Sequence, residues 1–361
     1  MKVAGVSYRS VWREAQRVAI IDQTRLPFEF RTLRLSSCDE IAHAIRSMQV
    51  RGAPLIGASA AYGIALAMSA DASDANLQLA AQLLGNARPT AVNLRWAIER
   101  MTRRMQTIPP AARAEAAWAE AEQIADEDIA FNLSIGHHGL AVLRRVAEKK
   151  GSVNVLTHCN AGWLATVDVG TALAPIYLAH EAGIAVHVWV DETRPRNQGL
   201  LTVWELSQHG VPNTLIADNA GGHLMQRGQV DLVIVGADRV TATGDVCNKI
   251  GTYLKALAAR DCAVPFYAAV PTPTIDWNID DALNEIPIEE RSGAEVTTMQ
   301  AMDADNRIAH ARIAPGGTRT ANPAFDVTPA RLVTAIITDR GIAPASRKGL
   351  DGLYRKKVAR S

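Results

Sequence analysis

The chain has 361 residues, 48% hydrophobic and 21% charged, with a formal net charge of +1. Such a composition is globular, exceeds one ordinary core at roughly 150 residues per domain, and lacks the charge excess that marks partners such as nucleic acid or an anionic membrane. The apolar runs fall short of the roughly 18 to 20 residues that span a bilayer. Met1-Lys2-Val3-Ala4-Gly5 has no charged region leading into a long apolar segment, so a soluble protein without a secretory leader is expected. Cys38, Cys159, Cys247 and Cys262 show no Cys-x-x-Cys spacing, which fits a reducing cytoplasm. In that compartment the sequon Asn132-Leu133-Ser134 is a chance match.

In chain order, Val18-Ala19-Ile20-Ile21-Asp22-Gln23 and Phe28-Glu29-Phe30-Arg31 read as short strands around a Leu26-Pro27 turn, a small antiparallel sheet. From Asp39 to about Ala147 apolar positions recur at helical spacing, as in Ile41, Ile45 and Met48, then Ala91, Leu94, Ile98 and Met101. The Ala-rich stretch 111–125, followed by Asp126-Glu127-Asp128, reads as a solvated helix leading into the second half. After Lys149-Lys150-Gly151 strands and helices alternate. Strands are predicted over 153–158, 184–190, 214–217, 230–235 and 264–270, and helices near 164–182, 200–209, 220–228 and 249–259. This alternation predicts a doubly wound parallel sheet. Its strand ends carry Cys159-Asn160, Asp191-Glu192, Asp218-Asn219 and Asp238-Arg239 to one edge, where a topological switch point makes a ligand crevice. The tail from Arg347 to Ser361 is basic and reads as partly frayed.

No Gly-x-Gly-x-x-Gly follows a strand and no P-loop motif occurs, which argues against dinucleotide and P-loop nucleotide sites. The histidines do not fall at metal-ligand spacing with cysteines, so no zinc site is expected. What remains are small turns able to hold phosphate. In Arg51-Gly52-Ala53-Pro54 the glycine admits close backbone approach and the helix start that follows favours an anion, although a helix C-cap followed by proline has the same pattern. In Arg88-Pro89-Thr90-Ala91-Val92-Asn93 the arginine projects before a helix opening.

Two apolar runs end on reactive groups, one at Cys159 and the other at Asp238. An unbridged cysteine is most often inert and buried. Cys159, however, stands beyond a strand and before Asn160-Ala161-Gly162 and a long predicted helix, whose N-terminal dipole would favour a thiolate. Asp238 suits a cap or an Arg239 partner equally well, and at an apolar strand end desolvation can hold its proton for general-acid work. Asn248-Lys249, at the predicted start of the next helix, offers an amide and an ammonium to phosphate or hydroxyl groups.

Taken together, Arg51-Gly52-Ala53-Pro54, Arg88-Pro89-Thr90-Ala91-Val92-Asn93-Leu94, Thr157-His158-Cys159-Asn160-Ala161-Gly162, Val190-Asp191-Glu192-Thr193-Arg194-Pro195-Arg196, Asp218-Asn219, Gly236-Ala237-Asp238-Arg239-Val240 and Asn248-Lys249-Ile250-Gly251-Thr252 closely resemble the methylthioribose-1-phosphate isomerase family. Its superfamily also holds the regulatory subunits of translation initiation factor 2B. The match extends through Ile288-Glu289-Glu290-Arg291 and Asn322-Pro323-Ala324-Phe325-Asp326-Val327-Thr328-Pro329.

The resemblance implies an α/β protein: a mainly helical N-terminal domain with a small antiparallel sheet (1–125), a connecting helix (126–150), a Rossmann-like catalytic domain with a parallel sheet (151–345) and a basic tail (346–361). It implies a cytoplasmic homodimer that binds a small-molecule sugar phosphate, with no metal, organic cofactor, nucleic acid or membrane. The implied reaction is aldose-to-ketose isomerisation of 5-methylthioribose 1-phosphate to 5-methylthioribulose 1-phosphate in methionine salvage. Carried over residue by residue, Cys159 and Asp238 are the catalytic pair, and Arg51, Gly52, Ala53, Arg88, Gln198, Asn248 and Lys249 bind substrate.

Two departures border the sugar site. The family pattern Gln-Gly-Ala-Arg-Leu-Thr is shortened here to Gln198-Gly199-Leu200-Leu201-Thr202, and Asn86-Ala87 stands where the approach to Arg88 is usually richer in glycine. They suggest an altered 5-substituent preference, with 5-deoxyribose 1-phosphate as a second substrate. Two other functions compete. One is a non-enzymatic regulatory subunit binding a sugar phosphate or nucleotide, opposed by the presence of Cys159, Asp238 and Asn248-Lys249. The other is a ribose 1,5-bisphosphate isomerase, which needs further cations for its second phosphate.

Overall fold

The computed structural model describes residues 1–88 and 91–354. Strands β1 (Val11–Glu14), β2 (Arg17–Ile21) and β3 (Thr32–Leu35) form an antiparallel sheet with Val11 opposite Ile20 and Val18 opposite Leu35. The strand expected at Phe28-Glu29-Phe30-Arg31 is not formed. The N–H groups of Phe28 and Glu29 donate to the Arg25 carbonyl and close a turn, so pairing begins only at Thr32.

Helices α1 (Cys38–Arg46), α2 (Ala53–Ala70), α3 (Asp74–Gly85), α4 (Val92–Gln106) and α5 (Pro110–Lys150) follow. Ser37 and Ser73 start α1 and α3 by accepting the N–H groups of Glu40 and Asn76. The one described helix long and apolar enough to cross a bilayer is α2, 18 residues, and it is buried at the centre of the helical layer. The Ala-rich start of α5 is not simply solvated. Ala117, Trp118, Ala121, Ile124 and Ala125 join the core around α2, because small side chains let two helices approach closely. Helix α5 then runs 41 residues without a break to Gly151, which ends it at φ 79°.

The second half contains β4 (Val153–Thr157), α6 (Ala174–Glu181), β5 (Val186–Asp191), α7 (Gly199–Gln208), β6 (Asn213–Ile216), α8 (Ala220–Gln226) and β7 (Leu232–Val235). After these come β8 (Arg239–Thr241), β9 (Val246–Lys249), α9 (Thr252–Asp261), β10 (Phe266–Ala269) and β11 (Ile275–Asp276). The last main elements are β12 (Thr298–Met302), β13 (Ile308–Arg312), β14 (Phe325–Thr328), β15 (Ala335–Thr338), β16 (Gly341–Ala343) and α10 (Arg347–Tyr354). The main sheet has seven strands in the order β16-β15-β10-β7-β4-β5-β6, all pairs parallel except β15 with β16. Chain order reverses beside β4: β5 and β6 lie on one side, β7, β10 and β15 on the other. That reversal is the switch point. A smaller sheet, β11-β8-β9-β14, adjoins the carboxyl edge, and the start of the basic tail is a docked helix whose Leu350 is fully buried. Residues 355–361 of that tail, with Pro89 and Thr90, lie outside the described residues.

The helix predicted over 164–182 is largely absent. After β4 the chain runs irregularly through a single turn of 3₁₀ helix, Trp163–Ala165, and α6 starts only at Ala174. Val169 and Gly170 both have left-handed φ, 70° and 85°, which breaks a helix. Most of this segment is buried, so its backbone polar groups need partners. One comes from α5: Asp128 accepts the Val167 N–H at 2.8 Å and the Asn132 side-chain amide at 3.1 Å.

Burial pushes the Asp128 carboxyl up from 3.8 to about 7 against these two hydrogen bonds. Between those values the folded chain retains a proton that the unfolded chain has released, so raising the pH through this window costs stability. Denaturant unfolding of wild type and Asp128→Asn at pH 5, 6 and 7 is expected to show a shallower decline in the variant, by up to about 1.4 kcal/mol per pH unit. Parallel curves would refute this.

Candidate active site

Cys159 lies just past β4 and Asp238 between β7 and β8, so the switch point brings both to one crevice. Arg51, Gly52, Ala53 and Asn248 line the same crevice, with His158, Asn160 and Pro271 among its other walls. It is narrow, about 30 Å³. Gln198 lines a neighbouring cavity of about 450 Å³ with Leu200, Leu201, Met48 and Met299, and Arg51 faces both spaces. The shortened segment after Gln198 is therefore a wall of the larger cavity. The Gln198 side-chain oxygen is buried and unpartnered.

Cys159 is buried, with φ 69°, a left-handed backbone that costs a non-glycine residue roughly 1 to 2 kcal/mol. Two threonines hold it there. The Cys159 N–H donates to Thr193 Oγ1 at 2.8 Å, and the Thr202 hydroxyl donates to the Cys159 carbonyl at 2.8 Å. Thr193 is fixed in turn by Asp218 at the end of β6, which accepts the N–H groups of Thr193 and Arg194 at 2.8 Å each. The expected helix dipole is not behind Cys159, because α6 begins at Ala174. Burial pushes the thiols of Cys38 and Cys247 up to about 12, so neither is a nucleophile near neutral pH.

Asn248 and Lys249 end β9 and do not open a helix. Helix α9 starts after Gly251, and Asp326 already accepts the N–H groups of Gly251 and Tyr253 at 2.7 and 3.1 Å. A carboxylate thus fills the anion position that the sequence offered to phosphate. Lys249 is buried with its ammonium 4.4 Å above the Phe325 ring. Burial lowers its pKa and Cys159 and Asp238 oppose that, while the charges of Arg88 and Arg51 deepen it. Those four groups are therefore its electrostatic neighbours, which sets the cations Arg51, Arg88 and Lys249 within electrostatic reach of one another. Arg88 is nearly buried, meets Glu289 at 3.3 Å and leaves its Nε unpartnered. Two groups oppose burial at Glu289: Arg88 and Arg291 hold its carboxyl below the usual range.

Arg51 donates from Nη1 to Asn160 Oδ1 at 2.7 Å and from Nη2 to the Asn160 carbonyl at 2.8 Å. Gly52 follows with φ 98° and caps α2 without a side chain. A Cβ on Gly52 would stand 2.4 Å from the Ala165 carbonyl oxygen, so the helical layer meets the irregular segment at a contact only glycine permits.

Residue choice from sequence missed the supports. Asn160 was legible within its motif, but Glu205 on α7 looked like any helical glutamate. It is fully buried and accepts from Asn160 Nδ2, the Trp163 and Leu164 N–H groups and the Tyr177 hydroxyl, at 2.8 to 3.1 Å. Burial pushes its carboxyl up to about 7 against these bonds. Beneath Cys159, His158 joins Asp191 at 2.9 Å and the Ile250 carbonyl at 2.8 Å. His158, Asp191 and Asp218 bring potential ligand atoms within 4.8 Å of one another, but the Lys255 ammonium already sits 3.3 Å from Asp191 and donates to the Asp218 carbonyl. It supplies the positive charge there.

A thiol, a carboxyl and an arginine in one crevice at the switch point of a parallel sheet mark a candidate small-molecule site in a protein of the Rossmann-like α/β class. The family model described as the initiation factor 2 subunit family matches residues 49–345. The methylthioribose-1-phosphate isomerase of Rhodospirillum rubrum is 61% identical over 99% of this chain and 94% of its own. The crystal structure of 5-methylthioribose 1-phosphate isomerase from Pyrococcus horikoshii is 42% identical, with TM-score 0.84 over 96% of each chain. A crystal structure described as translation initiation factor eIF-2B, subunit delta, from A. fulgidus is 40% identical, with TM-score 0.79 over 97% of this chain and all (100%) of that one. The chain belongs to the initiation factor 2 subunit family and, within it, to the methylthioribose-1-phosphate isomerases.

The Gly52 contact is directly testable. Gly52→Ala is expected to lose about 2 kcal/mol or more of unfolding free energy in urea, since backbone must move to admit the methyl group. An unchanged midpoint and slope would contradict it.

Proposed function

We propose that this chain is an intramolecular oxidoreductase that converts 5-methylthioribose 1-phosphate to 5-methylthioribulose 1-phosphate in methionine salvage. The observation that carries the reading is the shared crevice of Cys159 and Asp238, walled by Arg51 and Asn248. The relatives' names supply the substrate. Cys159 and Asp238 act as the catalytic pair. Arg51, Arg88 and Lys249 meet the phosphate together with the Gly52-Ala53 turn at the open start of α2, where a helix N-terminus favours an anion. Asn248 and Gln198 bind sugar hydroxyls. The protein works as a cytoplasmic homodimer.

A furanose phosphorylated at C1 cannot open to a free aldehyde, so Asp238 protonates the ring oxygen as the C1–O bond breaks. Hydrogen then moves from C2 to C1, the C2 hydroxyl becomes the ketone, and its proton restores the acid. The hydrogen has two routes. In one, a Cys159 thiolate removes the C2 proton and returns it at C1 through an enediol. In the other, hydride shifts directly while Cys159 stabilises the transition state. Both are redox-neutral overall and need no added oxidant. A largely buried crevice protects either intermediate from water.

The regulatory reading would leave Cys159 and Asp238 without work. NMR assays with 5-methylthioribose 1-phosphate, 5-deoxyribose 1-phosphate and ribose 1,5-bisphosphate separate the possibilities. Wild type is expected to convert the first, and Cys159→Ser and Asp238→Asn to lose about 10² to 10⁴-fold in kcat. Conversion of none of the three would sink the assignment. Because Gln198, Leu200 and Leu201 wall the larger cavity, 5-deoxyribose 1-phosphate is expected to compete more effectively here than with a family member carrying the longer segment. Equal kcat/KM ratios in parallel assays would remove that expectation.

A further inference from the structure

We propose that Glu205 is a positioning residue for the sugar-phosphate site, acting through Asn160 to hold the Arg51 guanidinium in place. The inference rests on Arg51 as a substrate binder. Asn160 has two amide N–H groups, and both are spent away from the crevice, on Glu205 Oε1 at 2.8 Å and on Thr202 Oγ1 at 3.1 Å. Its carbonyl oxygen must then face Arg51, which donates to it at 2.7 Å. If the amide turned over, an N–H would confront the guanidinium. The second Arg51 contact, to the Asn160 backbone carbonyl, leaves three of its five N–H groups for a ligand.

Glu205 also acts along the backbone. It accepts the Trp163 and Leu164 N–H groups at 2.8 and 3.1 Å, directly before Ala165, against which Gly52 packs. Both routes end at the Arg51-Gly52 turn. The protein makes room for this carboxylate at Gly162, where a Cβ would fall 1.8 Å from Glu205 Oε2. All four groups that Glu205 meets donate to it. A leucine there offers none of them an acceptor, whereas a glutamine could keep its oxygen on Asn160 and turn its N–H groups toward the Tyr177 hydroxyl, which can accept. Glu205 itself is fully buried behind Asn160, so it touches no substrate.

Steady-state kinetics on 5-methylthioribose 1-phosphate test the chain of contacts. Glu205→Leu is expected to raise KM by about 10-fold or more, roughly 1.4 kcal/mol of binding, with kcat changed by less than about 3-fold. In an Arg51→Ala background the same change should leave KM where Arg51→Ala put it, the non-additivity of residues that act in series. Tyr177→Phe removes another donor to the same carboxylate without touching Asn160 and is expected to preserve KM. Multiplicative effects of Glu205→Leu and Arg51→Ala, or an equal KM rise in Tyr177→Phe, would overturn the proposal in favour of a general structural role. A crystal structure of Glu205→Leu gives an answer independent of turnover. The Arg51–Asn160 pair is expected to be broken or rearranged, and an unaltered pair overturns the proposal. Absence of turnover by wild type, by contrast, would overturn only the substrate assignment.

Discussion

The site depends on an irregular segment that is buried. Between β4 and α6 the chain makes no sheet ladder and only a single turn of 3₁₀ helix, yet most of it is out of solvent. Unpaired backbone groups there would cost about 1 to 3 kcal/mol each. Side chains from both halves of the protein take their place. Glu205 accepts the N–H groups of Trp163 and Leu164, and Asp128 accepts that of Val167. Ser10 donates to the Trp163 carbonyl, and Gln23 to that of Leu164. The small N-terminal sheet, α5 and α7 thereby close on one segment, and that segment carries Cys159.

This arrangement explains why two carboxylates are buried without an ion-pair partner among the described residues. Asp128 and Glu205 answer backbone and side-chain donors, and burial pushes both carboxyls up to about 7 against those bonds. Their value is geometric. The neighbouring crevice has the opposite electrostatic character, with Arg51, Arg88 and Lys249 gathered beside Cys159 and Asp238. Lys249 is held between forces of both signs: burial and two arginines disfavour its charge, while Cys159 and Asp238 favour it. An arriving phosphate dianion would relieve the repulsion among the three cations, so this cluster is suited to a ligand that brings its own negative charge.

The start of α9 shows how tertiary contacts redirect a local signal. Glycine before a helix is an anion site in principle, but Asp326 from β14 fills it through the N–H groups of Gly251 and Tyr253. Asn248 and Lys249 consequently end a strand in the smaller sheet, and Asn248 lines the crevice. Among the described residues, no side chain hydrogen-bonds to cap the start of α2. Of the two glycine-bearing turns, only the first remains open to a ligand.

The sequence by itself determined the parallel sheet, since apolar runs at regular spacing between helical segments admit few other arrangements. It also determined that Cys159 and Asp238 stand at strand ends, because where an apolar run stops is a local property. It did not determine β14 or β15, short strands whose partners β9 and β10 lie far away in the chain. Nor did it reveal that the segment after Cys159 is irregular. Leu164 and Val167 stand three residues apart, as on one face of a helix, but Glu205 and Asp128 offer the backbone alternative partners that no local window contains. Glu205 was unreadable for the same reason: a glutamate on a helix is ordinarily solvated, and only the packing of α7 against Gly162 buries it. Which strand ends become neighbours, and which polar side chains must be satisfied in the interior, are decided by contacts across the fold.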